Sequence, residues 1–329
     1  MKIKIISGLI LIAIFSCISV FAQERKVQSE LPQKIDHNTP YIIPRINGPV
    51  TLDGMSDEPA WEGIEPLPVI MHRPNFGSEP TERTEILIAY DDEYLYVAGR
   101  LYDSEPSKIQ SLSKKRDATG GNIDKFGILI DTFNDNENSL AFFTTPAGLR
   151  ADYTISNDAQ GGAFMNKSWN TFWNVETVRN DEGWFTEIRI PFSSLRFQDR
   201  DGRVVMGLIF WRWIARKSEM VISPSIPPKW GNSSPYKSSQ AQKVVFEGIR
   251  SSKPLYVTPY VVGGIGQTTE LNNEETAYRR LNDTEKEIGL DVKYGLTNNL
   301  TLDVTLNTDF AQVEADDQQV NLTRYSLSN

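Results

Sequence analysis

Between Tyr41 and about Arg250, short β-prone runs alternate with clusters of Gly, Pro, Asn and Asp. Thr84–Ala89 and Tyr94–Leu101 flank Asp91-Asp92-Glu93, which predicts two strands joined by a hairpin turn. Phe126–Asp131, Ser139–Thr145, Ala151–Ser156, Trp184–Pro191 and Val204–Arg212 repeat the pattern. No segment carries a ten-residue helical periodicity, so this region reads as an all-β sandwich or barrel of antiparallel strands. The one helix-like piece is Glu58-Pro59-Ala60-Trp61, with Asp57 placed to cap it and Pro59 in its first turn.

After about residue 251 the texture changes to strict alternation. Ile288, Leu290, Val292, Tyr294 and Leu296 share one face of a strand, while Glu287, Gly289, Asp291, Lys293 and Gly295 share the other. Thr297-Asn298-Asn299 follows as a turn. Leu300, Leu302, Val304, Leu306 and Phe310 then face one way, against Thr301, Asp303, Thr305, Asn307 and Asp309. Two ten-residue strands with this dyad pattern suit a transmembrane barrel, apolar to lipid and polar to lumen; a soluble amphipathic meander is the other reading. Leu255–Ile265 and Val320–Ser328 are weaker candidates for neighbouring strands. About four strands cannot close a barrel. The expectation is therefore an incomplete transmembrane β-barrel, its first strands carried on a fragment of a longer chain.

The N-terminus bears on compartment. Lys2 and Lys4 precede an apolar run, Ile5–Phe21, and Val20-Phe21-Ala22 before Gln23 reads as a cleavage site. Residues 1–22 are thus expected to be a signal peptide, and 23–40, polar and aperiodic, a flexible linker. Residues 41–250 would then be the sandwich and 251–329 the barrel strands. Losing Lys2 and Lys4 with the leader takes the net charge from −9 to −11. An acidic chain without a basic stripe argues against nucleic acid as a partner. The single cysteine, Cys17, lies in the leader, which excludes disulfides and thiolate chemistry in the mature chain. With only His37 and His72, a catalytic triad or a multi-histidine zinc site is not expected.

Two stretches carry a family resemblance. Val50-Thr51-Leu52-Asp53-Gly54-Met55-Ser56-Asp57-Glu58-Pro59-Ala60-Trp61 resembles the opening of family 9 carbohydrate-binding modules, and the segments Asp124–Asp131, Trp169–Trp173 and Gly183–Phe192 follow in that family's order. The tail, Tyr294–Asp303 with Asn307–Glu314, resembles the DUF5916-type barrel that follows such modules in Bacteroidota-type envelope proteins. The resemblance implies an antiparallel sandwich that binds sugar, accompanies glycoside hydrolases in other proteins, and often holds structural calcium. It also implies an exported chain at the cell outer membrane, with the periplasm or cell surface as its surroundings.

Sugar binding needs flat aromatic faces and planar polar groups. The densest such segment is Trp169-Asn170-Thr171-Phe172-Trp173. Read as a strand, it sets Trp169, Thr171 and Trp173 on one face, a stacking platform with Asn170 or Asn174 on the sugar hydroxyls. The competing reading puts both tryptophans in the core. Trp230, in the Pro-rich loop Pro224–Pro235, is a further candidate; Trp61, Trp184, Trp211 and Trp213 read as structural. Asp131, Asn134, Asp135 and Glu137 concentrate hard oxygen ligands for calcium in what is also an ideal hairpin turn. No local motif singles out a catalytic acid and its partner, so a hydrolase is not expected from the residues. Met71-His72 is the one adjacent pair able to supply axial haem ligands. The other functional class is a structural or plug domain that serves a barrel and touches no sugar.

Overall fold

The computed structural model describes residues 39–111, 113–200, 202–251, 255–296 and 301–307. The expected leader, the expected linker as far as residue 38, the turn expected at 297–299 and the Val320–Ser328 strand candidate lie outside the described residues. Strands β1 (Tyr41–Ile42), β2 (Ile70–Arg73), β3 (Thr84–Tyr90), β4 (Tyr94–Tyr102) and β5 (Lys125–Asp131) come first. They are followed by β6 (Ser139–Thr144), β7 (Ala151–Ile155), β8 (Met165–Asn166), β9 (Asn174–Asn180) and β10 (Gly183–Pro191). Next are β11 (Arg203–Ile214), β12 (Glu219–Ser223) and β13 (Gln242–Glu247). The tail gives β14 (Leu255–Leu271), β15 (Tyr278–Gly295) and β16 (Thr301–Leu306).

A nine-stranded sheet runs β1-β13-β11-β5-β6-β7-β8, with β12 on the far half of β11 and β2 on β12. A four-stranded sheet runs β3-β4-β10-β9. All these pairings are antiparallel except β1 on β13. The twelve residues of β11 let one strand serve two neighbours: Arg203–Leu208 pairs with β13, and Phe210–Ile214 with β12.

Alternation within strands explains the layers. Ile86, Ile88 and Tyr90 of β3 point into a core shared with Val204, Met206, Leu208 and Phe210 of β11, so the two sheets face each other as a sandwich. Leu87 and Ala89 point the other way, where Trp61, Tyr96 and Ala98 join them under Ile46 and Val50. Ile209 and Trp211 likewise face outward, into a third cluster with Phe143, Tyr153 and Ile222. Both faces of each sheet are therefore covered, which is why β3 and β11 read as almost continuous apolar runs. Gly127 makes room in that third cluster: a Cβ there would lie 2.4 Å from the Trp211 ring.

The helix-like piece is a single 3₁₀ turn, Pro59–Trp61. Glu58 rather than Asp57 holds its cap position, and no side chain caps it. The turn is fastened from the sheet instead: Trp61 Nε1 donates to Glu187 Oε1 at 3.1 Å, and the Asp53 and Gly54 amides donate to Oε2.

β14, β15 and β16 form their own three-stranded antiparallel sheet. Its rows are sorted by polarity. Leu255, Tyr294 and Leu302 lie abreast, as do Val257, Val292 and Val304, then Pro259, Leu290 and Leu306. The rows between them are Tyr256, Lys293 and Asp303, then Thr258, Asp291 and Thr305. The apolar face lies open, with Val261 and Ile288 each more than two-thirds exposed. Among the described residues this sheet is open and does not close into a barrel. No helix among them is long and apolar enough to cross a membrane.

Candidate functional site

Trp169–Trp173 is not a strand. It is an irregular segment leading into β9, so the shared-face platform expected of Trp169, Thr171 and Trp173 does not form. What fixes the segment is Asp152 on β7, a fully buried carboxylate. It accepts the Thr171 amide at 2.6 Å and is paired with Arg116, whose Nε donates to Asn170 Oδ1 at 2.9 Å. Burial pushes the Asp152 pKa up, with the Thr171 amide and Arg116 working against it. Ser194 Oγ donates to the Phe172 carbonyl at 2.7 Å, and Arg150 to that of Trp173 at 3.0 Å.

This anchoring separates the two tryptophans. Both meet the Phe142 ring edge-on, with centroids 6.2 Å away for Trp169 and 5.4 Å for Trp173. Trp173 is 1 % exposed and belongs to the core between the sheets. The stacking role proposed for it is thereby corrected, because its ring faces are covered by protein. Trp169 is only partly buried and lines a cleft of about 920 Å³. Asn170, Thr171 and Phe172 line the same cleft, with Thr132 and Phe133 from the β5–β6 loop. Ser193, Ser194 and Arg196 form another part of the wall.

The remaining wall comes from the tail. Tyr256, Thr258, Asp291, Lys293, Asp303 and Thr305 line the cleft, and they are two complete cross-strand rows of the polar face. Phe172, 60 % exposed, lies against Tyr256 with centroids 5.0 Å apart and planes tilted by 31°. Lys293 pairs with Asp303 at 3.2 Å. Asp291 Oδ1 is shielded from solvent and has no hydrogen-bond partner. None of these tail residues stood out in the sequence as part of a site, although the alternation had already placed Asp291, Lys293, Asp303 and Thr305 on the polar face.

The other candidates lie elsewhere. Asn174 is exposed on β9 and accepts a long 3.5 Å bond from Arg189, outside the cleft. Trp230 is only half-exposed: it packs on the outer cluster of the large sheet, with Lys229 Nζ 4.2 Å and Lys237 Nζ 5.6 Å from its ring. Asp131 is fully buried and spends its oxygens on the Asp135 and Asn136 amides, with Lys243 Nζ 3.6 Å away. Asp135 takes the Glu137 and Asn138 amides, and Asn134 and Asn136 sit at positive φ. The segment is the hairpin turn its composition suits, and among the described residues no group of three or more acidic, His or Cys side chains gathers at metal-binding spacing. Met71 and His72 are both buried, not at the surface. Met71 Sδ already accepts the Asn75 amide at 3.4 Å. Burial and Arg73 hold the His72 pKa down.

Residues 254–328 match the model of a domain of unknown function, DUF5916. No curated protein matches the chain. Among solved structures, a family 9 carbohydrate-binding module from Caldicellulosiruptor kristjanssonii is similar in two complexes. The complex with cellotriose has a TM-score of 0.39 at 18% identity, over 64% of this chain and 95% of that one. The complex with glucose has a TM-score of 0.41 at 18% identity, over 64% and 96%. A protein of Bacteroides uniformis described as a carbohydrate-binding candidate has a TM-score of 0.49 at 10% identity, over 64% and 99%. None reaches 0.5, and the sandwich described above rests on this chain's own strand pairing.

Proposed function

We propose that the chain is an exported carbohydrate-binding sandwich carried on the first strands of an outer-membrane barrel, acting in glycan capture or uptake without catalysis. The observation that carries the sugar reading is the cleft beside Trp169. It pairs a partly exposed indole with the Asn170 side-chain amide, held by Arg116, on a segment whose Thr171 backbone amide is fastened to buried Asp152, the combination of apolar face and fixed polar groups that a sugar ring requires. The membrane reading is supported by the apolar rows of β14–β16, which lie open on one face of a sheet whose other face is polar. Export is supported by the leader sequence.

The test is a glycan array probed with the full chain, with and without calcium, beginning with cello-oligosaccharides. At least one glycan is expected to bind, and Trp169→Ala is expected to weaken it about tenfold or more. An array blank in both conditions would overturn sugar binding. Cell fractionation tests the compartment: recovery from the outer-membrane fraction is expected, and recovery from the cytosol would defeat it. A structural plug remains the competing function, favoured by one observation, the Phe172–Tyr256 contact that docks the sandwich loop on the tail sheet. A blank array combined with outer-membrane recovery would select it.

A further inference from the structure

We infer that the glycan site is shared between sandwich and tail, and that its ligand is an uncharged oligosaccharide of more than one ring. The inference rests on the glycan-binding reading and extends it to the strands. Three observations carry it. First, Tyr256, Asp291 and Lys293 line the same cleft as Trp169 and Asn170, so a ligand seated there touches both parts. Second, Asp291 is a carboxylate on that wall, and its shielded Oδ1 has no donor within the protein; in the cleft such a carboxylate is an acceptor for sugar hydroxyls, which are donors. Third, Lys293 is already paired with Asp303. With Arg196 and Asp291 the other charged lining residues, the cleft carries two cations and two anions and no net charge to select an ionic ligand.

Size points the same way. A cleft of about 920 Å³ stands near the top of the range for small-molecule sites, more than one pyranose ring occupies. Phe172 and Tyr256, which also line the cleft, extend the aromatic surface beyond Trp169.

The experiment uses the full chain in detergent, titrated calorimetrically with neutral, uronate and glucosamine oligosaccharides of one to six rings. A neutral oligosaccharide is expected to bind best and at least about tenfold tighter than its monosaccharide. Asp291→Asn keeps its cross-strand row and removes the charge; with Tyr256→Ala it is expected to raise Kd about tenfold, as Asn170→Ala does. Thermal melts matching wild type would confirm that the variants fold. If Asn170→Ala weakens binding while Asp291→Asn and Tyr256→Ala leave Kd unchanged, the shared site is wrong and the sandwich alone binds sugar. Preference for uronate or glucosamine oligosaccharides would overturn the ligand class. Binding of none of them to the wild type would take down the glycan reading itself, and the shared site with it.

Discussion

Trp173 and Trp169 are four residues apart and pack on the same phenylalanine, yet the fold gives them different work. Trp173→Ala should cost about 3–5 kcal/mol, read from denaturant melts, because it empties a filled core position. A loss under about 1 kcal/mol would mean that Trp173 is not core. Glu187 is the other residue with a consequence that can be measured. Burial and the nearby Glu58 push its pKa up to about 7, against the pull of the Asp53, Gly54 and Trp61 N–H groups. A carboxyl whose folded pKa is raised holds its proton longer in the folded state. Its contribution is therefore complete below about pH 4.5 and is lost as pH rises through about 7, by up to about 3 kcal/mol. Asp124, Asp131 and Asp152 are shifted the same way, so the variant isolates the effect. Glu187→Gln should flatten the fall in stability between pH 5 and pH 8, and an unchanged slope would show that Glu187 titrates normally. At this scale the sequence was partly legible. It marked Trp169 and Asn170, but it could not separate the partly buried tryptophan from the fully buried one, because that depends on Asp152 holding the loop from another strand.

Strands were the most legible elements. The expected runs at Thr84–Ala89, Tyr94–Leu101 and Phe126–Asp131 match β3, β4 and β5 to within a residue or two, because alternation and turn residues are local signals. The Trp169–Trp173 segment failed for the opposite reason: aromatic and β-branched content imitates a strand, while its backbone bonds go to side chains. Arg212 was equally hidden, as a charged residue in the middle of an apolar run. It is fully buried on β11 and donates to the carbonyls of Arg83 and Tyr102 and to Thr84 Oγ1. Burial holds its pKa down to about 10, while Asp103, Asp124, Glu82 and Glu219 act to raise it. It ties β11 of the large sheet to β3 and β4 of the small one. Arg212→Met should leave those acids undercompensated and cost about 3–5 kcal/mol in a denaturant melt. A cost within about 1 kcal/mol would mean that the pin between the sheets contributes nothing net.

At the scale of the whole molecule, the tail sheet carries a direction. Its apolar rows run from Leu255, Tyr294 and Leu302 to Val261 and Ile288. Beyond them the same face is mostly polar, with Gln267 opposite Asn282 and Thr269 opposite Arg280, but it keeps Ile265 opposite Thr284 and ends on Leu271 opposite Tyr278. The β14–β15 hairpin thus continues about ten residues, roughly 30 Å, past the last full apolar row. Its tip is closed by the Asn272 amide donating to the Ala277 carbonyl at 2.8 Å. At the opposite end, β15 and β16 are joined by a short connection, and the sandwich enters there, its last strand ending at Glu247 just before β14 begins. Outer-membrane barrels keep short turns in the periplasm and long loops outside. With the sheet set in that membrane as proposed, the sandwich hangs in the periplasm beneath the polar, lumen-facing side of the strands, where its cleft already meets Tyr256 and Asp291. The sequence alternation separated the apolar and polar faces but not the two ends, because strand length beyond the apolar band is legible only from pairing. An epitope inserted at Asn273-Glu274 should therefore be cleaved or labelled on intact cells. One inserted at Gly161-Gly162, an exposed sandwich loop, should react only after the outer membrane is opened. Labelling of the sandwich epitope on intact cells would reverse the orientation, and labelling of neither on intact cells would count against insertion of the sheet.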